Sequence, residues 1–340
     1  MEIRRGALAA DVTRLRERAG VVLRALLAVV GLAIVAYLVH DAGTSRVLRI
    51  LWEAGSWLPL ILVLEVAQFG SDYGAIRSIV GSQWQGVPSA TRIRSAAVAY
   101  AMMVLLPAGR AAGEIARATL LSKNLGLARA AAASVQLQSA FLFANAVLSL
   151  VAWGVVQSSF GAGSALALLL AGNVLFQAFL SIGLIGILRY ARFGRWLDGL
   201  RTRFLREQIA SKPLDPDVRR RLPWSAAAIC ALGRVAQLVQ YGVIVRAVGG
   251  VATVRGAFVS HGIRLVGNTL GDLLPSQIGV VDGAYRAFAA TLGFADAPAR
   301  ALSIAFVARL GQLVCASACI LVAALARAKG RAQDVDDAAR

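Results

Sequence analysis

Apolar positions in this chain gather into long blocks near residues 20–40, 56–76, 128–157, 163–189, 224–247 and 300–327. Each block is long enough to cross a hydrocarbon core about 30 Å thick as a helix rising ~1.5 Å per residue. Two further apolar regions are interrupted. Stretches at about 93–106 and 109–122 meet at Pro107, and stretches at about 256–274 and 276–292 meet at Pro275. The pattern predicts an all-α polytopic membrane protein with about six spanning helices and two re-entrant helical hairpins.

Composition supports a membrane chain. Of 340 residues, 58% are hydrophobic and the mean hydropathy is +0.67. The net charge of +18 resembles a nucleic-acid signal, but the basic residues lie mostly in loops between apolar blocks, where they act as orientation signals. Nucleic acid is therefore not expected as a partner, and anionic lipid headgroups are. The bias to arginine and alanine reads as a high-GC bacterial coding preference, which puts the chain in a bacterial cytoplasmic (inner) membrane. Cys230, Cys315 and Cys319 all fall in apolar blocks with no further Cys or His beside them, so they read as packing residues, and no metal or other cofactor is expected. The N-terminus shows no cleavable signal peptide, because its first apolar block is long enough to span.

Charge bias sets the expected topology. The segment 1–19 with its five arginines, the loop 190–223 with nine Lys/Arg and the tail 329–340 are expected in the cytoplasm. The uncharged "QSSFGAGS" is expected outside. The loop 190–223 reads either as an amphipathic helix lying on the membrane or as a solvated linker helix. These assignments agree if six helices cross, both termini are inside, and the two hairpins return to opposite sides.

The hairpins also match each other in sequence. In each, Leu-Leu-Pro is followed after seven residues by an acid, Glu114 or Asp282, and after ten or eleven by an arginine, Arg117 or Arg286. A Leu-Gly pair follows, Leu125-Gly126 or Leu292-Gly293. Three crossings separate the hairpins, so the halves 20–160 and 161–328 form an inverted 4+4 repeat, an arrangement of secondary transporters. A hairpin broken at proline leaves helix ends near the midplane, where only protein or a wet cavity can satisfy them. The second limb's N-terminus suits an anion. Arg110 lies in the first turn of one such limb, and Gly279 and Gly283 are expected to permit close approach at the other.

Glu65, Asp72, Arg234, Arg264, Asp272 and Arg309 also lie in apolar blocks. Such charges are expected to face the interior, either as transport residues or as structural pairs, for instance Glu65 with Arg234 or Arg309. His261 reads as structural before it reads as a proton relay.

At the hairpin residues the chain resembles the flippase-like family that includes the N-terminal membrane domain of lysyl-phosphatidylglycerol synthases and its stand-alone relatives, some hopanoid-associated. A family motif like "P-x-R-x-G-E-x-x-R" appears as Pro107, Arg110, Gly113, Glu114 and Arg117, with one extra residue on each side of Arg110. A late motif like "P-G-x-x-G-V-x-E-G" appears as Pro275, Gly279, Val280, Asp282 and Gly283, with Ser276 and Asp282 replacing its glycine and glutamate. Where relatives often carry Glu-Arg, this chain has Gln138 and Ser139. The resemblance implies movement of a lipid between leaflets. The 340 residues hold no counterpart of the synthases' aminoacyl-transferase domain, so lysine transfer is not expected of them.

The leading expectation is a lipid flippase or scramblase handling a phosphate-bearing, anionic or zwitterionic, headgroup. Glu114 and Asp282 would balance the arginines or couple movement to protons. The alternative is a secondary transporter of a small soluble anion. An intramembrane lipid enzyme is the least favoured: "DGAYRAF" loosely resembles the start of a phospholipid alcohol transferase motif, but the further paired aspartates are missing. No "GxxxxGK[ST]" occurs, so no P-loop binds ATP.

Overall fold

The computed structural model describes residues 33–106, 109–189, 223–271, 277–294 and 297–338. The polar segment 1–19, residues 190–222 of the loop expected at 190–223, Pro107, Asp272 and Pro275 lie outside them. Among the described residues the secondary structure is entirely helical, without strands.

The helices follow the apolar blocks. A short helix α1 (Ala33–Ala42) ends at Gly43, whose φ of 87° turns the chain into α2 (Thr44–Ala54). Then come α3 (Leu58–Val80), α4 (Ser89–Leu105), α5 (Gly109–Leu125), α6 (Leu127–Phe160) and α7 (Ala165–Arg189). After the loop come α8 (Trp224–Ala247), α9 (Val254–Gly271), α10 (Val280–Ala287) and α11 (Pro298–Ala338). Five helical segments among the described residues are long and apolar enough to cross a membrane: Thr44–Gly86, Leu127–Phe160, Ala165–Leu188, Trp224–Ala247 and Pro298–Ala328. The sixth expected span, 20–40, is described only from Ala33. The chain is a multi-pass membrane protein. Its lipid-facing surfaces carry exposed large apolar side chains, such as Leu168, Leu175, Phe179 and Ile182 on α7 and Leu321 and Leu325 on α11.

Helix α2 went unread in the sequence because Arg46, Arg49 and Glu53 break its apolar pattern. It is amphipathic: Val47, Ile50 and Ala54 are buried, and it packs against α11. Trp52 on its outer face is 87% exposed, which suits an aromatic at a membrane–water interface.

Each interrupted region folds as two helices packed on one another, α4 with α5 and α9 with α10. Helices α4 and α5 have 17 residues each, about 25 Å at ~1.5 Å per residue, short of a core of about 30 Å. Their contact is unusually close. A Cβ at Gly113 would stand 2.5 Å from the carbonyl oxygen of Ala99, and one at Gly109 would overlap that of Met103. "GRAAG" is thus a small-xxx-small seam that lets two backbones meet. In the second pair, the two segments come close at Gly267 and Gly271. A Cβ at Gly267 would lie 3.2 Å from Val281 Cα, whereas one at Gly283 would meet nothing within 4 Å. Gly279 serves differently: its φ of 85° makes the turn into α10.

Candidate functional site

Within these helices, polar residues recur at helical spacing on one face. Glu65, Gln68 and Asp72 form such a stripe on α3, Gln138 and Asn145 on α6, Arg234 and Gln237 on α8, and Arg264 and Asn268 on α9. Spacings of three, four and seven place residues on the same side of a helix. The stripes converge on a cavity of about 150 Å³, closed further by Tyr100 and Met103 of α4, Gly109 and Arg110 of α5, and Arg309 and Gln312 of α11. That is roughly ten times the ~10–15 Å³ needed to admit one water.

Four arginines and two carboxylates line this space. Glu65 is fully engaged. It accepts from the Tyr100 hydroxyl at 2.5 Å and from Gln240 Nε2 at 2.7 Å, while Gln68 donates to Gln240 Oε1 at 2.9 Å. The Arg234 or Arg309 partner considered for Glu65 is therefore replaced by a tyrosine and amides. Arg309 instead makes a two-pronged bond to Asp282, both arms at 3.1 Å. Asp282 is completely buried and also accepts the backbone N–H of Gly279 at 2.8 Å. This one carboxylate holds α10 to α11 and caps the first turn of α10.

The other cations are less satisfied. Arg110 and Arg234 both place their guanidinium groups over the Phe141 ring, Arg234 at 4.2 Å from its centroid. Arg110 Nε donates to Gln138 Oε1 at 2.7 Å. Gln138, one of the two residues standing in place of the family's Glu-Arg pair, thus faces the cavity. Ser139 turns away to exchange hydrogen bonds with Ser181. Arg234 is 8% exposed and donates one Nη1 bond to Gln237, while its Nε has no partner. Arg264 stands over Tyr241, and its buried Nη1 is likewise unpartnered. Asp72 is the principal negative charge acting on both Arg110 and Arg234, yet its Oδ1 is buried without a hydrogen bond.

Several residues singled out from the motifs lie elsewhere. Glu114 and Arg117 face each other at 3.4 Å one turn apart on α5, outside the cavity lining. Arg286 also lies outside it, in a half-exposed 2.7 Å pair with Asp41. Gly113 serves the α4–α5 seam, and Gly283 faces open space. The structure thus gathers Arg110, Glu65, Asp72, Arg234, Arg264 and Arg309, and leaves Glu114, Arg117 and Arg286 apart. Tyr100, Asn145, Gln177, Gln237, Gln240 and Asn268 were missed in the sequence. Their signal was there: amides and a tyrosine in apolar helices, at helical spacing from intramembrane charges. His261 is fully buried beside Tyr241, with neither ring nitrogen hydrogen-bonded. Cys315 and Cys319 pack with Tyr100.

Comparison with curated proteins and with solved structures finds no match. A family model does match, over residues 21–326. Nine-tenths of the chain lies in that range, and so the chain belongs to the family described as the lysylphosphatidylglycerol synthase TM region.

Proposed function

We propose that this chain is a transporter, not an enzyme, and that it moves a phosphate-bearing lipid between leaflets with the headgroup passing through the arginine-lined cavity. One observation carries the reading: a polar cavity with more arginines than acids lies among helices long and apolar enough to span. Intramembrane charge is expensive, by about 2.5–3.5 kcal/mol per residue at the helix centre, and marks substrate paths by default. Arginine suits phosphate because its planar donors match the oxyanion geometry. The N-terminus of α5, at Gly109 and Arg110, opens on the same space and adds partial positive charge.

The architecture we assign to this function is an inverted repeat with two re-entrant hairpins. In its favour, neighbour relations in one half have counterparts in the other. Exchanging α3 with α8, α4–α5 with α9–α10, and α6 with α11 turns the α4–α11 contact into α9–α6. The same exchange turns α5–α6 into α10–α11 and α6–α8 into α11–α3. The α3–α8 contact maps onto itself, as an axis between the halves requires. Cysteines placed at Ser159 and Gly163 should react with impermeant thiol reagents from outside the cell, and those at Ser211 and Ala332 only from inside. Labelling at Ser211 from outside would break this topology.

The functional test is leaflet exchange in vesicles holding the purified chain and a fluorescent phospholipid, read by an impermeant quencher. Protein should speed exchange over protein-free vesicles, and Arg234→Gln should slow it at least tenfold while the chain stays folded. Vesicles with and without protein behaving alike would defeat the reading. The modest cavity volume favours one second reading, transport of a small soluble anion, for which the same vesicles should accumulate labelled inorganic phosphate.

A further inference from the structure

Helices α6 and α7 bring a second kind of group to the cavity. Asn145 and Gln177 both line it, and each is only 6% exposed. Their side-chain carbonyl oxygens, Asn145 Oδ1 and Gln177 Oε1, are buried without a hydrogen bond. Gln177 is held by its other end. Its Nε2 donates to Thr269 Oγ1 at 3.0 Å, Thr269 donates to Asn173 Oδ1 at 2.7 Å, and Asn173 Nδ2 donates to Ser149 Oγ at 2.8 Å. This relay ties α7 to α9 and α6, and it uses the amide N–H of Gln177 while leaving the oxygen free. Asp72 Oδ1 is a third idle acceptor among the described residues that line the cavity, where Arg234 Nε and Arg264 Nη1 are the buried idle donors. A phosphate group supplies oxygens alone, so it answers the two donors and none of the three acceptors. Water fills such places in an empty cavity, but a headgroup that displaces ordered water must reproduce its hydrogen bonds or lose affinity. Acceptors left buried without a donor carry the same penalty.

We infer that Asn145 and Gln177 form a subsite that reads hydrogen-bond donors, and that the cavity takes a phospholipid whose headgroup carries N–H or O–H groups beyond its phosphate. The inference rests on the proposed transport of a phosphate-bearing lipid, and it names the part of the headgroup that tells one such lipid from another. A primary ammonium and a hydroxylated head both qualify, because each presents hydrogens to carbonyl oxygens within a few atoms of the phosphate. A choline head does not, because its nitrogen carries only carbon. The relay through Thr269, Asn173 and Ser149 is complete without cargo, so the Gln177 oxygen is already in position when a headgroup arrives. A site built to bond an N–H or O–H rejects the analogue lacking it far more strongly than an apolar pocket rejects an added methyl group.

The test is competitive lipid retention by the full chain in detergent, read by native mass spectrometry. The probes are phosphatidylethanolamine, its N-methyl and N,N-dimethyl derivatives and phosphatidylcholine, all of equal chain length, with phosphatidylglycerol as the hydroxyl-bearing probe. The nitrogen series keeps one phosphate and one positive charge while its N–H groups fall stepwise to none. Retention should fall along it, at least tenfold from first to last, and phosphatidylglycerol should group with the ethanolamine lipid. Asn145→Leu removes one acceptor and leaves the relay intact, and it should narrow the tenfold preference to within about threefold. Asn145→Asp keeps the acceptor and should preserve the order. Arg234→Gln acts on the phosphate, so it should lower retention of all the probes and leave their order standing. Equal retention across the nitrogen series by the unaltered chain overturns the inference. Phosphatidylglycerol grouped with phosphatidylcholine overturns it too, since the size or charge of the nitrogen would then set the order. Water-soluble glycerophosphoethanolamine and glycerophosphocholine identify the source. Displacement of bound lipid by the ethanolamine ester alone assigns the subsite to a free ester, displacement by neither assigns it to a lipid, and both results support donor reading. Displacement by the two esters equally overturns it. Ordered retention without leaflet exchange would support this inference and sink the transport reading, and exchange of the lipids without any order would do the reverse.

Discussion

Asp282→Asn should leave a chain that is markedly less stable and still has whatever pH response the native protein shows. The carboxylate is fully buried, accepts two bonds from Arg309 and caps Gly279. Asparagine keeps an oxygen for the Gly279 N–H but loses the charge, leaving the Arg309 guanidinium without its counter-ion. Removing one partner of a buried pair costs about 3–5 kcal/mol. The loss should appear as a fall of several degrees or more in thermal unfolding in detergent. Arg309→Gln on top of Asp282→Asn should recover part of it, since two neutral hydrogen-bonding side chains need no ionic partner. The opposite outcome, native stability together with loss of any dependence of transport on a pH gradient, would make Asp282 a coupling-proton carrier and not an anchor. The geometry favours the anchor, because both carboxylate oxygens are already engaged.

The second large effect belongs to the α4–α5 seam. Gly109→Ala should prevent the two helices from closing, since its new methyl group would occupy the space of the Met103 carbonyl oxygen. Backbone cannot rotate aside as a side chain does, so the helices must separate or the hairpin must tilt. Overpacking of this kind typically costs about 1–3 kcal/mol, and a backbone obstacle puts it at the upper end. Because Met103, Gly109 and Arg110 all line the cavity, the shift should also lower leaflet exchange, by tenfold or more. Gly113→Ala should behave alike for stability, given the 2.5 Å approach to Ala99. Gly283→Ala is the matched control, with nothing near its Cβ, and should be within about 0.5 kcal/mol of the native chain. Native unfolding temperature and exchange rate in Gly109→Ala would show that the seam is not closed in the membrane.

The apolar blocks alone told where most helices lie, because a membrane core demands an unbroken run of apolar helix of a set length. The described helices α3, α6, α7, α8 and α11 begin and end within a few residues of those blocks, apart from the C-terminal extension of α11. The interruptions were equally plain, since proline and short apolar runs are local signals. Intramembrane charges also stand out one by one, and Arg110, Glu65, Asp72, Arg234, Arg264 and Arg309 are all conspicuous in the sequence. Local pattern misled for α2, whose arginines look like a loop until its apolar face finds α11.

Which of these charges share a space was not legible, because that depends on helices far apart along the chain, with Glu65 and Arg309 at the two extremes. Matching positions after the two prolines suggested matching roles for Glu114 and Asp282 and for Arg117 and Arg286. Packing assigned them differently: Glu114 stands in a 3.4 Å ion pair with Arg117 on its own helix, Asp282 reaches across to Arg309, and Arg286 pairs with Asp41 near the surface. Periodicity says only which side of a helix a residue occupies. Its partner is set by the rotation and depth at which that helix docks, and those are properties of the assembled bundle.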